Sequence, residues 1–530
     1  MRPLLLLIGL VGCNSTPNPT TKPESGTEPI DGVDTDGSDG GDGSTDTADS
    51  GGTTPEDGCA SMTNPGGLGA DNCVRQSGCQ WDGTQYYGNL GHALDIGGDI
   101  DGDGLADWVI GAPYEDEMAG DEVGRLDVGI VHIFRGAERS ADATPSAQLL
   151  GTGMASSLGY AVIIAPDLNG DGLDDVVAGG RGTSTDSIIA AGEVQILFGR
   201  EDGWDDPALS ADVTWVGEQE MARAGSTVHG VGDTNGDGMG ELAVATNLRQ
   251  TSASGYEQPG QGMVALFYGQ EDFSEMASLS DATAQIAGVG ASDGAGMAIA
   301  SGDLDGDGHQ DLIIGAPYGA ANTGRVVVFP GSATSTTGEL TLDDAPIQFT
   351  GENYSDTFGY TLAAGDLNAD GTAELVIGSP TADDATPESG TVRVYAGAAD
   401  FFAAATEPIF VVTGEWDDHQ LGTGLSAGAD VNGDGVGDLI MGAIGAWQGL
   451  VTKGGRVYVQ HGPHTDWTMN ASASEAPVQF YGGATKDYIG KTFDAADLNG
   501  DGTAEMMIST GYANVGSDFD AGRVYLFWGE

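Results

Sequence analysis

Positive charge is scarce in this chain of 530 residues. Lys and Arg number 17, and only four of them are Lys, against 81 Asp and Glu, so the formal net charge is −64. A chain with so large a negative charge would repel a nucleic-acid backbone. We therefore expect cations rather than nucleic acids as partners. The hydrophobic fraction of 39% and the charged fraction of 18% exclude a simple disordered acidic polymer.

Long apolar runs are also missing, because no stretch approaches the 18 residues of a membrane-spanning helix. The apolar run 4–11 follows a short basic start and ends in Leu10-Val11-Gly12-Cys13. This ending resembles the lipobox of bacterial lipoproteins. The resemblance implies a signal peptide over residues 1–13, a lipid on Cys13 as the only membrane contact, and an outer-membrane or cell-surface location. The alternative is an ordinary signal peptide and a secreted or periplasmic protein.

Residues 14–58 lack large apolar side chains and are dense in Thr, Ser, Gly, Pro and Asp. Such a segment cannot bury enough surface to offset its ordering entropy, so we predict a disordered acidic tether. Cysteine is rare as well. After Cys13, the only three are Cys59, Cys73 and Cys79, in a lead-in over residues 59–79. In an exported chain they favour a disulfide whose pairing stays open, and a zinc site is the alternative.

Glycine is abundant, at 90 residues, and accompanies an internal repeat. The nine-residue pattern Asp-x-Asp/Asn-x-Asp-Gly-x-x-Asp/Glu occurs seven times, with starts 63 to 70 residues apart. Each copy follows a small or apolar residue and Gly, such as Leu90-Gly91 or Phe358-Gly359, and precedes a short apolar run. The acidic loops are 99–107, 167–175, 233–241, 303–311, 366–374, 430–438 and 497–505.

Short β-branched and aromatic runs bounded by Gly predict four strands in each repeat. Seven repeats of four antiparallel strands predict an all-β fold, a seven-bladed β-propeller over residues 80–530. The strand-like run near Gln80 precedes the first repeat, whereas the sequence ends after the third strand of the seventh. We therefore expect this run to complete the last blade and close the ring. An open solenoid is the alternative architecture.

The order of these motifs carries a family resemblance. Leu/Phe-Gly, the acidic loop and then Gly-Ala-Pro, as at Gly111 and Gly315, resemble the FG-GAP repeats of the integrin α-subunit propeller and its bacterial relatives. The resemblance covers about 450 residues and implies calcium in the acidic loops. Repeats two, three and seven depart from Gly-Ala-Pro, with Gly179-Gly180-Arg181, Ala245-Thr246-Asn247 and Ser509-Thr510-Gly511.

The loop chemistry supports calcium independently, because this ion takes six to eight oxygen ligands from carboxylates and carbonyls. Turn formation alone would not require several carboxylates to converge on one point. Position 12 of each copy is apolar, which excludes an EF-hand. We predict up to seven mainly structural Ca²⁺ ions. The sites should be strongest in loops one and four, where all four acidic positions are Asp, and weaker in loops three, five and seven, which end in Glu; loop five also has Ala369 in place of Gly.

The predicted ligands are side chains at loop positions 1, 3, 5 and 9 and the carbonyl at position 7. They are Asp99, Asp101, Asp103, Leu105 and Asp107; Asp167, Asn169, Asp171, Leu173 and Asp175; Asp233, Asn235, Asp237, Met239 and Glu241; Asp303, Asp305, Asp307, His309 and Asp311; Asp366, Asn368, Asp370, Thr372 and Glu374; Asp430, Asn432, Asp434, Val436 and Asp438; and Asp497, Asn499, Asp501, Thr503 and Glu505.

No catalytic constellation stands out, and we predict no enzyme activity. The G-x-S-x-G match at Gly290–Gly294 lacks the strand and helix that a nucleophile elbow needs. The seven His show no metal-binding spacing. We expect a calcium-stabilised binding, adhesion or scaffold module that presents a loop-lined face to a protein or glycan. A polysaccharide hydrolase or lyase and a purely structural envelope component are the alternatives.

Overall fold

A computed structural model describes residues 68–69 and 80–529. It leaves out short gaps at 120–121, 137–144, 186, 202–203, 205–207, 247–249, 252–256, 259, 274–275, 277, 405–406, 448–450, 468 and 516–517. The predicted signal peptide, the tether and all four cysteines lie outside the described residues.

The strands form seven antiparallel four-stranded sheets, which are the blades of a β-propeller, as predicted. In order from first to fourth strand, blade 1 comprises Ala93–Ile96, Trp108–Ala112, Ile130–Phe134 and Ala147–Leu150; blade 2, Leu158–Ala165, Asp175–Gly180, Glu193–Leu197 and Val213–Val216; blade 3, Thr227–Gly232, Glu241–Thr246, Met263–Phe267 and Ala284–Ala287; blade 4, Ala298–Gly302, Asp311–Ala316, Arg325–Phe329 and Ile347–Thr350; blade 5, Thr361–Gly365, Glu374–Ser379, Thr391–Tyr395 and Phe410–Thr413; blade 6, Leu421–Ala427, Leu439–Ala443, Arg456–Gln460 and Val478–Tyr481; and blade 7, Phe493–Ala496, Glu505–Ser509, Arg523–Gly529 and Gln80–Asp82.

The burial of the strands explains why each repeat contains short apolar runs. Second strands such as Asp311–Ala316 are buried along their whole length, because neighbouring blades cover both faces. Fourth strands such as Ala147–Leu150 alternate between buried and partly exposed residues. Seven hydrophobic clusters fill the spaces between neighbouring blades, and one of them joins blade 7 to blade 1. The ring is therefore closed and is not a solenoid.

The strand Gln80–Asp82 closes the ring as the sequence predicts. It pairs antiparallel with Arg523–Gly529, with Trp81 opposite Val524. The Trp81 indole is buried and lies 6.1 Å from the ring of Trp108 and 5.5 Å from that of Phe134, both in blade 1. This short strand thus joins the last blade and packs on the first.

Glycines that recur in the repeats lie where neighbouring blades come into close contact. A Cβ at Gly315, the first residue of Gly-Ala-Pro in repeat four, would lie 2.4 Å from the carbonyl oxygen of Gly359 in the next blade. In repeats three and seven the same place holds Ala245, against Gly296, and Ser509, whose hydroxyl donates to the Gly91 carbonyl at 2.6 Å. The residues that replace the glycine in these two repeats are therefore also small, and they occupy the same contact between neighbouring blades.

The sequence did not predict a fifth strand, which blades 1, 3 and 5 each have. Ala208–Leu209, Gly338–Thr341 and Ala471–Ser472 pair in parallel with the fourth strands of blades 1, 3 and 5. Each of these segments belongs to the connection between the third and fourth strands of the following blade. Main-chain pairing thus covers the outer edge of these three blades.

The remaining elements are short. Two hairpins, Glu117–Ala119 with Glu122–Arg125 and Gln250–Thr251 with Glu257–Gln258, lie in connections, and Leu68–Gly69 pairs with the end of Arg523–Gly529. The helical turns are Leu279–Asp281, Gly319–Asn322, Leu342–Asp344, Phe401–Ala404, His464–Asp466 and Ala473–Glu475. Within the described ranges, no helix has the length and apolarity to cross a bilayer.

Candidate metal loops and binding face

The seven acidic loops lie on one end of the ring. Each loop joins the first strand of its blade to the second, and antiparallel strands place all such turns at the same end. We call this end the lower face; it also carries the connections between third and fourth strands. The upper face carries the connections between second and third strands and those from one blade to the next.

The first Asp of each loop organises the turn. In loop one, Asp99 Oδ1 accepts a hydrogen bond from Gly102 N at 2.7 Å, and Oδ2 accepts one from Gly104 N at 2.9 Å. The bond from the position-6 glycine recurs in all seven loops, at 2.6 to 2.9 Å. That glycine has φ between +84° and +91°, which confirms why a Gly is fixed there.

Position 4 also requires a left-handed backbone. It is Gly in six loops, with φ between +72° and +77°. In loop five it is Ala369, which adopts φ of 60°. A non-glycine residue costs free energy in this conformation, so loop five is the most strained of the seven at this position.

Three loops bring three carboxylates together, with one oxygen from each within 4.8 Å of the others. The groups are Asp99, Asp101 and Asp107; Asp233, Asp237 and Glu241; and Asp303, Asp305 and Asp311. Loops one and four are those that the sequence ranks highest. Loop three also converges, through its position-5 Asp and its terminal Glu, although the sequence ranks it lower. Like-charged groups this close favour a cation between them.

The acid at position 9 is buried in every loop, with an exposed fraction of 0 to 1%. In loop four, Asp311 accepts main-chain hydrogen bonds from Leu304 at 3.0 Å and Gly331 at 2.8 Å. Burial, with repulsion from the other loop carboxylates, raises the pKa of this residue to about 7. The same causes raise the pKa of five others to about 7: Asp107, Asp175, Glu241, Glu374 and Glu505. A bound cation would favour the ionised form.

Basic side chains approach the two loops that are richest in Asp. Arg135 Nη1 lies 3.0 Å from Asp101 Oδ2, and His309 Nδ1 lies 3.1 Å from Asp307 Oδ1. The sequence analysis missed Arg135, which follows the third strand of blade 1 and reaches back to the loop. Arg135 partly balances the charge of loop one, and a metal ion would compete with both side chains for the same oxygens.

Main-chain bonds link the loops to each other around the ring. The N–H at position 8 of one loop donates to the position-1 carbonyl of the preceding loop in five cases, such as Gln310 to Asp233 at 3.0 Å. The position-7 side chain also lies against position 4 of the preceding loop. In loop four, His309 Nε2 lies only 2.9 Å from the place that a Cβ of Gly236 would take. An ion that orders one loop therefore also orders an interface between blades.

Exposed apolar side chains lie on the opposite end of the ring. Of the eleven large hydrophobic residues that are exposed among the described residues, ten belong to connections on the upper face. Lower-face connections such as 330–346 and 461–477 are comparably long and contribute only Met469. The ten are Tyr86, Tyr87, Met118, Leu126, Met154, Ile189, Val289, Tyr354, Trp447 and Phe519.

Aromatic residues and a cavity mark the seam of the ring on this upper face. The ring of Tyr86 lies 4.3 Å from that of Tyr87 and 5.9 Å from that of Phe519, all three exposed. Beside them is a cavity of about 510 Å³, lined among others by Tyr488 and Tyr512. The upper face thus combines apolar projections with a depression of the size of ligand sites.

The other motifs acquire plain structural roles. Gly290–Gly294 lies in a connection between two strands, so Ser292 is not on a nucleophile elbow. His419 is fully buried, accepts the Glu415 N–H at Nδ1 and lies 2.8 Å from Tyr458 Oη through Nε2. His229 Nε2 lies 3.0 Å from Ser301 Oγ. These two histidines have hydrogen-bond partners in the core.

Comparison with known proteins supports an FG-GAP β-propeller. The FG-GAP repeat family model matches residues 90–134, 295–329 and 358–395, which are in repeats one, four and five. The other four repeats have the same strands and acidic loops.

Two kinds of protein are among the curated relatives. Phosphatidylinositol-glycan-specific phospholipase D from Bos taurus is 27% identical over 404 residues, which are 70% of this chain and 46% of that protein. Integrin alpha-8 from Gallus gallus is 30% identical over 172 residues, and integrin alpha-PS2 from Drosophila melanogaster is 33% identical over 174. Each match covers 32% of this chain, with 15% and 11% of the integrins. The match spans between a third and a half of the length of the phospholipase D relatives.

Proposed function

We propose that this chain is a calcium-stabilised protein-binding module that docks its partner on the upper face. The observation that carries the proposal is the one-sided distribution of exposed apolar side chains. A soluble surface scatters such residues singly, whereas a concentration on one face is typical of an interaction site. Of the ten residues, the aliphatic ones (Met118, Leu126, Met154, Ile189 and Val289) favour a protein over a glycan, because sugars stack mainly on aromatic rings.

The lower face supports calcium in a structural role. Clustered carboxylates and carbonyls suit Ca²⁺, whose flexible coordination tolerates the Asn and Glu variations among the seven loops. The ion would supply positive charge between carboxylates that otherwise repel, and the loops would supply side-chain oxygens at positions 1, 3, 5 and 9. Since the loops lie at the end of the ring opposite the apolar residues, calcium holds the scaffold rather than contacts the partner.

A photo-crosslinking pair tests the proposed face. A benzophenone amino acid replaces exposed Trp447 on the upper face in one variant and exposed Met469 on the lower face in the other. After irradiation of cells that express the full chain, we expect one discrete crosslinked protein from the Trp447 variant and none from the Met469 variant. Equal crosslinking of both variants, or none from either, would contradict an upper-face partner.

The location that we propose follows from the lipobox-like ending at Cys13. A lipid on this residue would hold the ring at a membrane surface through a tether of about 45 residues. Cys13→Ser should move the protein from the membrane fraction to the soluble fraction, as measured by fractionation and immunoblotting. Retention of the variant in the membrane fraction would refute the anchor.

A further inference from the structure

Several residues that follow a Leu/Phe-Gly step or its equivalent, such as His92 and Tyr160, lie near the axis of the ring on the upper side. The ring of His92, in blade 1, lies 4.6 Å from that of Tyr160 in blade 2, and a Cβ at Gly511, next to Tyr512 in blade 7, would lie 3.6 Å from His92 Cα. Burial raises the pKa of Tyr360 in blade 5, and Tyr318, Tyr160 and Tyr512 raise it further. Because blades 2, 5 and 7 are distributed around the ring, their side chains can be neighbours only near its axis.

Three basic groups join these tyrosines in what we call the axial cluster: His92, Tyr114, Tyr160, Arg181, Lys491 and Tyr512. The Arg181 guanidinium lies 3.8 Å above the ring of Tyr160 and donates to Tyr114 Oη at 3.0 Å. The His92 ring lies 4.6 Å from that of Tyr160, and Lys491 Nζ lies 5.7 Å from the ring of Tyr512.

Among the described residues, Arg181 and Lys491 lack the acidic partners that several other cations have. Arg325, Arg393 and Arg456 each contact a carboxylate at 2.6 to 2.7 Å. In the described part of the chain, no ion pair joins Arg181 or Lys491 to a carboxylate. The chain has 81 acidic residues against 17 basic ones. Two such cations at one place therefore make the local charge positive within a strongly negative protein.

The ionisation of these groups agrees with uncompensated positive charge. The Lys491 side chain is exposed at the surface. Partial loss of hydration next to the surrounding protein nevertheless lowers its pKa to about 8, and repulsion from Arg181 lowers it further. Burial holds the pKa of His92 well below its usual range, with further repulsion from Lys491 and Arg181. An anion placed among them would relieve this repulsion.

We propose that the axial cluster is a subsite for one carboxylate, supplied by an Asp or Glu side chain of the protein that docks on the upper face. The inference rests on the proposed function. A guanidinium matches a carboxylate with two parallel N–H donors, and the tyrosine rings form apolar walls around the pair. The net charge of −64 repels polyanions at long range, so a single carboxylate within an otherwise neutral or basic surface is the anion that fits.

Two blocked amino acids test the subsite on the full chain. The tyrosines are labelled as 3-fluorotyrosine, and ¹⁹F NMR follows Tyr160 and Tyr512 during titration with N-acetyl-glutamate N-methylamide or with its glutamine counterpart. The two compounds have nearly the same shape and differ in charge. We expect a saturable shift with the glutamate compound only. Equal responses to both compounds, or no response to either, would overturn the proposal.

Matched variants attribute the response to the cluster. Arg181→Gln and Lys491→Gln should each weaken binding of the glutamate compound at least tenfold. Arg200→Gln should not change it, because Arg200 pairs with Asp212 in a lower-face connection, at 2.7 Å. Circular dichroism and melting temperature establish that each variant is folded. An unchanged affinity in folded Arg181→Gln would overturn the assignment.

The crosslinking variant separates this inference from the proposed function. Trp447 crosslinking that survives in a chain carrying Arg181→Gln and Lys491→Gln would leave the docking face intact and overturn the carboxylate subsite. A response to the glutamate compound without any crosslinked protein would overturn the protein as the source of the carboxylate. The docking face and the carboxylate subsite are both supported if the native chain binds the glutamate compound and the double variant loses crosslinking.

Discussion

Removal of calcium should lower the melting temperature of the chain by an amount that reports how many loops are occupied. A site with a Kd of about 10⁻⁴ M, at a hundredfold higher free calcium, contributes about 2.7 kcal/mol to the free energy of unfolding. The unfolding entropy of a ring of about 450 residues is about 0.95 kcal/mol/K, from about 2.1 cal/mol/K per residue. Seven sites would then correspond to about 20 °C, and the three convergent loops alone to about 9 °C.

Differential scanning calorimetry measures this shift on the full chain. One sample contains calcium at about 10 mM, a second contains EGTA, and a third contains EGTA with excess magnesium. We expect the EGTA sample to melt lower by at least about 9 °C. Magnesium should restore little of the loss, because it demands near-ideal octahedral geometry. An unchanged melt in EGTA would refute calcium as a structural element, and full rescue by magnesium would refute the choice of ion.

A pair of double variants tests the ranking of the loops. Asp303→Ala with Asp307→Ala removes two carboxylates from loop four, and Asp366→Ala with Asp370→Ala removes the equivalent two from loop five. We expect the larger loss of calcium-dependent stability in loop four, because its three acids converge and loop five has a strained Ala369. Isothermal titration and calorimetry measure both changes. Equal losses would contradict the ranking.

Three further substitutions test packing, closure and pH dependence. Gly442→Ala would place a Cβ 1.8 Å from the Gly490 carbonyl of the next blade, so it should cost about 1–3 kcal/mol in urea unfolding, whereas Gly153→Ala, in open space, should cost far less. Trp81→Ala should cost about 3–5 kcal/mol and expose the seam between blades 7 and 1 to proteolysis, and an unchanged unfolding midpoint would show that the closing strand is dispensable. Burial, with repulsion from Arg456, lowers the pKa of His419 to about 3, below its unfolded value, so the contribution of this residue to stability is lost as the pH falls below about 6.5, by about 2 kcal/mol at pH 5. His419→Gln should flatten this pH dependence, and an unchanged slope would exclude His419 as its source.

The architecture could be predicted from the sequence because each repeat carries local signals that agree with the global fold. The glycine at loop position 6 needs a positive φ, and the apolar runs that follow the loops become second strands buried on both faces. The closing strand could also be predicted, because the run at Gln80 precedes the first Leu-Gly step as fourth strands precede the later ones. Trp81 fulfils this expectation through its contacts with blade 1.

The axial cluster could not be predicted, because it exists only when the ring closes. Arg181 occupies the place of proline in Gly-Ala-Pro, which in the linear sequence is merely a departure from the motif. Lys491 and His92 follow their Leu/Phe-Gly steps, about 400 residues apart in the chain. The signal is visible afterwards as basic and aromatic residues at equivalent repeat positions. For the same reason, the contact between Arg135 and Asp101 depends on a fold that local patterns do not describe.

The short parallel strands on blades 1, 3 and 5 divide the ring into two-blade building blocks. Each strand leaves an even-numbered blade and bonds to the outer edge of the odd-numbered blade before it, as Gly338–Thr341 does with Ala284–Ala287. Among the described residues, these strands join blades 1–2, 3–4 and 5–6 in pairs, and the strand Gln80–Asp82 completes blade 7. Under force or partial denaturation, the ring should part between these pairs before it parts within them.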